Sequence, residues 1–211
     1  MDWKISLLGF FVVALAMAGF SPSAMAQSKR NPGTYATFET DQGTFVCELL
    51  EKTAPITVKN FVELSEGAKE YTDPRDGQKK KGRYYDGTVF HRLIPDFMIQ
   101  GGDPTGTGTG GPGYRFQNEA SPTVKFDKAG RLAMANAGRN TNGSQFFITD
   151  AAVGLSEQDY TIFGQVIEGM DVVRKLARVP KLPKGPQNPE GSKPQKPPVL
   201  QKVTIERVPG A

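Results

Sequence analysis

Apolar and polar residues alternate in short runs along most of this chain. "YATFET" (35–40) and "TFVCELLE" (44–51) read as strands, because side chains at every second position share one face of a pleated backbone. Asp41-Gln42-Gly43 between them supplies a turn, so the pair reads as a hairpin. "TVFHRLI", "DFMIQGG", "GRLAMAN", "SQFFITD", "YTIFGQVIEG" and "VLQKVTIERV" are six further strand candidates. Only two stretches carry a helical period. "APITVKNFVELSEG" places Pro55 near the first turn, Val58, Phe61, Val62 and Leu64 inward, and Gly67 at the stop. "GMDVVRKLARVP" begins after Phe163-Gly164 and ends before Pro180. This pattern predicts a mainly β fold, a closed eight-stranded antiparallel barrel capped by two α-helices, with a two-sheet sandwich as the alternative.

Three segments fall outside that pattern. Lys4 precedes an apolar run from Ile5 to Phe20, and small residues then lead to Ala24-Met25-Ala26. A basic start, a short apolar core and an A-x-A site predict a secretory signal over residues 1–26. The run is short of the ~20 residues a spanning helix needs, which disfavours a membrane anchor. The domain is then 27–211, exported to a periplasmic or extracellular space. Lys69–Arg83 reads as a charged, turn-rich insertion. Pro180–Pro198 is dense in Pro and Lys and reads as an extended, solvated connector, because each proline denies a backbone donor.

Composition narrows the chemistry. The 211 residues carry a formal charge of +4, which the loss of Asp2 and Lys4 with the signal leaves unchanged. The lysines concentrate in "GQKKKGR" and "KLPKGPQNPEGSKPQKPP", and neither interleaves them with stacking aromatics, so nucleic acid is not an expected partner. Cys47 is the only cysteine and His91 the only histidine, which leaves no internal disulfide and no metal site. Cys47 reads as a small buried strand residue.

Two stretches are dense enough to carry function. "VFHRLIPDFMIQGGDPTGTGTGG" sets Arg92 beside an apolar patch and then a glycine run. A phosphate loop would need a helix and a Lys-Ser/Thr ending after the glycines; Pro112 and an alternating "YRFQNEA" follow instead. In "LAMANAGRNTNGSQFFIT", alternation puts Gln145, Phe147 and Thr149 on one strand face and Phe146 and Ile148 on the other.

"FHRLIPDFMIQGGD", "GTGG", "MANAGRNTNGSQFFI" and "FGQVIEGMDVV", in that order, strongly resemble the cyclophilin family of peptidyl-prolyl cis-trans isomerases. The resemblance spans roughly Thr34 to Ala177 plus the last strand. It implies the same barrel with two capping helices, no cofactor, and proline-containing polypeptides as partners. It also implies a pocket formed by Arg92, Phe97, Met98, Gln100, Gly108, Ala135, Asn136, Ala137, Gln145, Phe147 and Leu155. His91 and Tyr160 are implied in supporting roles. "VGLSEQDYTIFG" departs from many eukaryotic members: no tryptophan precedes Leu155, one residue is added, and Tyr160 stands where a histidine would. The missing tryptophan is one on which cyclosporin binding leans in the family.

The implied reaction breaks no bond, which suits a site with so few ionisable groups. Arg92 is expected to act on the twisted amide, and Phe97, Met98, Phe147 and Leu155 to seat the proline ring. Gln100 is expected to orient Arg92 or meet the peptide carbonyl, and Gln145 and the Asn136 backbone to hold the flanking peptide. The expected function is isomerisation of X–Pro bonds during folding of exported proteins, by a monomer that touches no membrane once its signal is removed. A peptide-binding module with little turnover is a second reading. A third, a serine hydrolase using Ser144, His91 and Asp103, lacks a nucleophile-elbow pattern around Ser144.

Overall fold

The first hairpin forms where alternation places it. Strand β1 (Gly33–Thr40) turns at Asp41-Gln42 into β2 (Gly43–Leu49), in a register from Thr34 opposite Leu49 to Thr40 opposite Gly43. The computed structural model describes residues 30–210, so the expected signal over residues 1–26 lies outside the described residues. Among the described residues no helix is long and apolar enough to cross a membrane.

Helix α1 (Pro55–Glu66) follows, with Pro55 in its first turn. Its N-cap residue, Ala54, has no side chain to satisfy the free N–H groups of that turn. A carboxylate from far along the chain does so instead. Glu119 accepts from the backbone N–H of Ile56 (3.0 Å) and Thr57 (2.8 Å) and from the Thr57 hydroxyl (2.7 Å). The inward face is the one the sequence period gives, with Val58, Phe61, Val62 and Leu64 buried. The helix stops at Gly67, whose φ of 77° only glycine adopts readily; a Cβ there would also lie 2.7 Å from the Gly82 backbone.

The remaining elements are β3 (Glu70–Thr72), β4 (Lys79–Lys81), β5 (Thr88–Val89), β6 (Arg92–Ile94), β7 (Met98–Gly101), β8 (Arg131–Met134), β9 (Phe146–Thr149), β10 (Ile162–Glu168), α2 (Met170–Ala177) and β11 (Val199–Val208). Strands β3 and β4 make a separate two-stranded ribbon, so the charged insertion is folded. Asp73 is its pivot: the buried carboxylate accepts from Arg75 Nη2 (2.6 Å) and Lys80 Nζ (2.7 Å).

The other strands form one antiparallel sheet in the order β5-β11-β1-β2-β10-β8-β9-β7-β6. This corrects the expected closed eight-stranded barrel: the sheet is an open, nine-stranded half-barrel. The reason lies in "TVFHRLI", which alternation reads as one strand. It splits into β5 and β6 at Phe90-His91, where pairing changes partner. Phe90 donates its N–H to Pro198 O (2.9 Å), whereas His91 donates to Gln100 O (3.1 Å). The two halves therefore end at opposite edges of the sheet, and no ladder joins them.

Inside the curve is an aromatic core. Phe38 stacks on Phe45 at 4.7 Å between ring centroids, and Phe61, Phe90, Phe146, Phe163 and Tyr85 are buried with them. Helix α2 adds Val173, Leu176 and Ala177. Cys47 is buried in this core, and burial pushes its thiol pKa up, which makes it a packing residue.

Residues 180–198 are not an extended connector. Proline does limit regular pairing, but Leu182 N–H to Lys193 O and Gln195 N–H to Pro180 O (both 2.9 Å) cross the loop, and a side chain adds to them. Asn188 is buried; its Nδ2 donates to Leu182 O (2.8 Å) and Pro183 O (3.2 Å), and its Oδ1 accepts from Ser192 N (3.0 Å) and Lys193 N (3.1 Å). The loop so closed docks on β6, with Leu93 donating its N–H to Ser192 O at 2.9 Å. It thereby covers part of an otherwise open sheet edge.

Candidate active site

Strand register sets the site. Arg92 on β6 lies opposite Gln100 on β7, Gln100 opposite Phe147 on β9, and Phe147 opposite Ala133 on β8. Residues directly opposite in antiparallel strands project to the same face, so these four form one row. The next row, Leu93, Ile99, Ile148 and Leu132, projects the other way into the aromatic core. Phe146 shares the inner face, and Phe147 packs outside it with Met98, Phe126, Ala133 and Ile162.

On the outer face is a cavity of about 120 Å³ lined by Arg92, Phe97, Met98, Gln100, Ala135, Asn136, Phe147, Leu155 and Tyr160. Its volume is well under the roughly 300–1,000 Å³ of a drug-sized site, and it suits a single small ring. Its floor is aromatic: Phe147 stacks on Phe126 at 5.7 Å and meets Tyr160 edge-on at 5.6 Å. A larger cavity of about 850 Å³ adjoins it. Gln100, Ala135 and Asn136 line both, whereas Gly108, Ala137 and Gln145 line only the larger one. The sequence-derived residues thus divide between a small slot, part apolar and part polar, and an open groove beside it, and His91 lines neither.

The polar side of the slot is a chain of hydrogen bonds. Arg92 donates through Nε to Glu190 Oε2 (2.7 Å) and through Nη2 to Glu190 Oε1 (2.9 Å). Its Nη1 has only long contacts, with Gln100 Oε1 (3.4 Å) and Met98 Sδ (3.8 Å). Gln100 Nε2 donates to Gln145 Oε1 (3.0 Å), and Gln145 Nε2 donates to the carbonyls of Gly108 and Gly110 (both 2.9 Å).

Two clamps hold the slot's walls. Phe97 sits in the β6–β7 turn, where Asp96 has a φ of 58°. Asp150, buried, accepts the Asp96 N–H (2.8 Å) and Arg178 Nη1 (2.6 Å), while Arg178 Nη2 donates to Asp96 Oδ1 (2.7 Å). On the far side, Asn136 Nδ2 (2.7 Å) and Asn118 Nδ2 (2.8 Å) both donate to Asp159 O, which fixes the segment bearing Leu155 and Tyr160.

The glycine run is wound around Asp103. That buried carboxylate accepts from the N–H groups of Thr105 (2.8 Å), Gly108 (2.7 Å) and Gly110 (3.0 Å). Burial pushes its pKa up, but the Thr105 hydroxyl (2.8 Å) and these N–H groups outweigh burial and hold it below the ordinary value. With those N–H groups facing a carboxylate, they do not face a phosphate. A Cβ at Gly110 would overlap Asp103, so glycine is obligatory there.

His91 is half-buried with its ring close to Gly108, and among the described residues no hydrogen bond of normal geometry reaches either ring nitrogen. Burial lowers its pKa; Asp103 opposes that and Arg92 adds to it. Ser144, the other member of a hydrolase reading, is buried, donates to Gly102 O (2.8 Å) and contacts Tyr84 Oη (3.0 Å) rather than His91.

Sequence reasoning does not find Glu190, Phe126, Asn118, Asp150 or Arg178. Phe126 and Glu190 lie in segments without periodicity, and no local pattern marks them.

Comparison with known proteins agrees with this geometry. Residues 35–208 match the family model described as cyclophilin type peptidyl-prolyl cis-trans isomerase/CLD. Over 148 residues the chain is 51% identical to peptidyl-prolyl cis-trans isomerase B of Streptomyces anulatus, covering 69% of this chain and 85% of that one. Over 170 residues it is 45% identical to peptidyl-prolyl cis-trans isomerase A of Mycobacterium tuberculosis, covering 81% and 91%. Its fold matches the crystal structure of a cyclophilin type peptidyl-prolyl cis-trans isomerase from Cryptosporidium parvum, with a TM-score of 0.69, 34% identity, and coverage of 83% of this chain and 99% of that one. A second structure under that description, in the presence of the dipeptide ala-pro, gives a TM-score of 0.68 at 34% identity and covers 82% of this chain and 99% of that one. Matched across most of its length by sequence and by fold, the chain belongs to the cyclophilin-type peptidyl-prolyl cis-trans isomerases and is an enzyme of that activity.

Proposed function

We propose that Arg92 is the catalytic group of this isomerase and that the apolar side of the small slot seats the substrate's proline ring. The observation that carries this reading is the weakly engaged Nη1 of Arg92, on the wall of a ring-sized cavity. Twisting an X–Pro bond costs ~18–20 kcal/mol because it breaks amide resonance, and the uncatalysed step takes ~10–100 s. Lowering the barrier by roughly 6 kcal/mol brings it to hundreds per second or more. In the twisted state the prolyl nitrogen becomes pyramidal and holds a lone pair, which the planar amide lacks. A fixed N–H donor aimed at that nitrogen therefore stabilises the twisted state selectively. The apolar walls of Phe97, Met98, Phe147 and Leu155 exclude water and strengthen the field of the guanidinium. Gln100 and Gln145 present polar groups between slot and groove, where the flanking peptide would lie. No proton is transferred, so His91 has no acid–base task.

The substrates in this reading are exported polypeptides, met in a periplasmic or extracellular space by a monomer that binds neither membrane nor nucleic acid. Residues 1–26 support export, and a mass for the exported form that begins at Gln27 is the expected result; an intact Met1 terminus would overturn it. The catalytic role is tested by isomerisation of a short X–Pro peptide. Removing one preorganised donor costs about 10²–10³ in kcat, so Arg92→Ala is expected to lose at least that. Arg92→Ala with full turnover would refute the role.

A further inference from the structure

We infer that Glu190 is a positioning residue of this isomerase, holding the Arg92 guanidinium so that Nη1 faces the proline slot. The inference rests on the reading of Arg92 as the catalytic group, and goes beyond it to a segment that no sequence motif marks.

A guanidinium is planar and carries its five N–H bonds in a fixed fork. The Glu190 carboxylate takes the Nε and Nη2 edge at 2.7 and 2.9 Å, a bidentate pair. Two parallel bonds set the plane and rotation of the group, so the direction of Nη1 follows from them. Without that pair Arg92 has a long, flexible stem held only by the distant contacts of Nη1 and by the Phe97 ring, its centroid 6.0 Å from the guanidinium carbon.

Glu190 does not take the substrate's place. Arg92 lines the slot, whereas Glu190 lines neither the slot nor the groove. The carboxylate therefore grips the arginine from behind. It is itself held: Ser192 Oγ donates to Glu190 Oε2 (3.1 Å), and the buried Asn188 closes the loop around it with four hydrogen bonds. The Leu93 N–H to Ser192 O bond ties this loop to the residue next to Arg92. The pairing also keeps the Glu190 pKa below its ordinary value, so the anion persists across the working pH range.

The test compares Glu190→Gln and Glu190→Asp with the parent chain, and Glu190→Gln again in an Arg92→Ala background, all on a short X–Pro peptide. Gln is isosteric and half-exposed here, so the fold is kept. Small misplacements of a catalytic group can cost up to about 10²-fold, and we expect Glu190→Gln to lower kcat about tenfold or more, with KM and melting temperature little changed. Glu190→Asp, which keeps the charge but has a shorter reach, is expected to recover part of the loss. In Arg92→Ala the same substitution is expected to cost nothing further, and the Arg92 Nε–H resonance is expected to move in Glu190→Gln alone. Unchanged or increased turnover in Glu190→Gln, or an equal loss in both backgrounds, would overturn the inference. If Arg92→Ala is fully active, it is the assignment of Arg92 that falls. If Arg92→Ala is impaired and Glu190→Gln is not, only the role of Glu190 falls.

Discussion

Phe146 and Phe147 are neighbours in the chain, and β9 sends them to opposite sides of the sheet. Replacing each by alanine is expected to have opposite consequences. Phe146 is fully buried, with the rings of Phe38, Tyr85, Phe61 and Phe90 edge-on around it at 5.6, 5.7, 6.0 and 6.2 Å. Phe→Ala in such a core costs about 3–5 kcal/mol, out of the roughly 5–15 kcal/mol that hold a domain folded. At about 2–4 °C per kcal/mol for a chain of this size, the melting temperature should fall by roughly 6–20 °C. None of the rings around Phe146 lines the slot, so molecules that remain folded should keep turnover within about threefold of the parent, a loss of ~0.7 kcal/mol.

Phe147 offers its ring to the slot and rests on Phe126 and Tyr160. Its loss opens a space that joins the slot, where water can enter, so the stability cost should be the smaller of the two. The catalytic cost should be larger. If about two ring methylenes of the substrate lose their apolar contact at ~0.8 kcal/mol each, the loss is ~1.6 kcal/mol, or roughly fifteenfold in kcat/KM. Denaturant midpoints give the first quantity, and peptide isomerisation in the cold, where both variants stay folded, gives the second. A folded but inactive Phe146→Ala, or a fully active Phe147→Ala, would refute this division of the two faces.

Acidification tests His91. Burial keeps its folded pKa below the ordinary ~6.5, so the unfolded chain takes up a proton first. The associated stability is fully present above that ordinary value and is lost as pH falls toward the lower folded value. The denaturation midpoint should drop more between pH 7.5 and 5.5 in the parent than in His91→Gln; equal drops would contradict the burial effect. Glu119→Ala leaves the first turn of α1 without its acceptor and should cost about 1–2 kcal/mol, read as a lower midpoint; no change would mean that the cap is not holding the helix. Truncation before Val199 removes the partner of β1 along Gly33–Thr40 and of β5, and is expected to give unfolded or aggregated protein. A soluble, active truncated chain would show that β11 is dispensable.

Elements with a strong period were legible. Both helices and the strands β1, β2, β8, β9, β10 and β11 lie where alternation or helical spacing puts them. Three features were not, each for a different physical reason. The break at Phe90-His91 is invisible because both residues keep the alternation while their N–H groups change partner. That change turns the expected closed barrel into an open sheet. The β3–β4 ribbon has only three residues per strand, too few to show a period, and depends on the ion pairs at Asp73. The loop at 180–198 has a composition that resembles a linker, and its order comes from the buried amide of Asn188 together with scattered backbone bonds such as Leu182 N–H to Lys193 O and Gln195 N–H to Pro180 O. For the site, Arg92 and the residues around it sit in two recognisable motifs. Glu190 is 98 positions from Arg92, and only the folded loop brings it there.

The proposed mechanism transfers no proton and breaks no bond, which leaves only geometry and field to lower the barrier. Its donor must be placed before the substrate arrives, since any reorganisation of the donor during the twist would be charged against the rate. The chain of bonds from Glu190 through Arg92, Gln100 and Gln145 to the carbonyls of Gly108 and Gly110 provides such placement. It spans two strands in register and is anchored at each end on a loop built around a buried polar side chain, Asn188 on one side and Asp103 on the other. The weakest bond of the series, 3.4 Å from Arg92 Nη1 to Gln100, lies at the slot, where a substrate nitrogen would compete for the donor. On the proposed role of Arg92, tight bonds away from the reacting atoms and a loose one beside them are what catalysis by differential binding requires: the arginine would be held in direction, with one donor left for the twisted state.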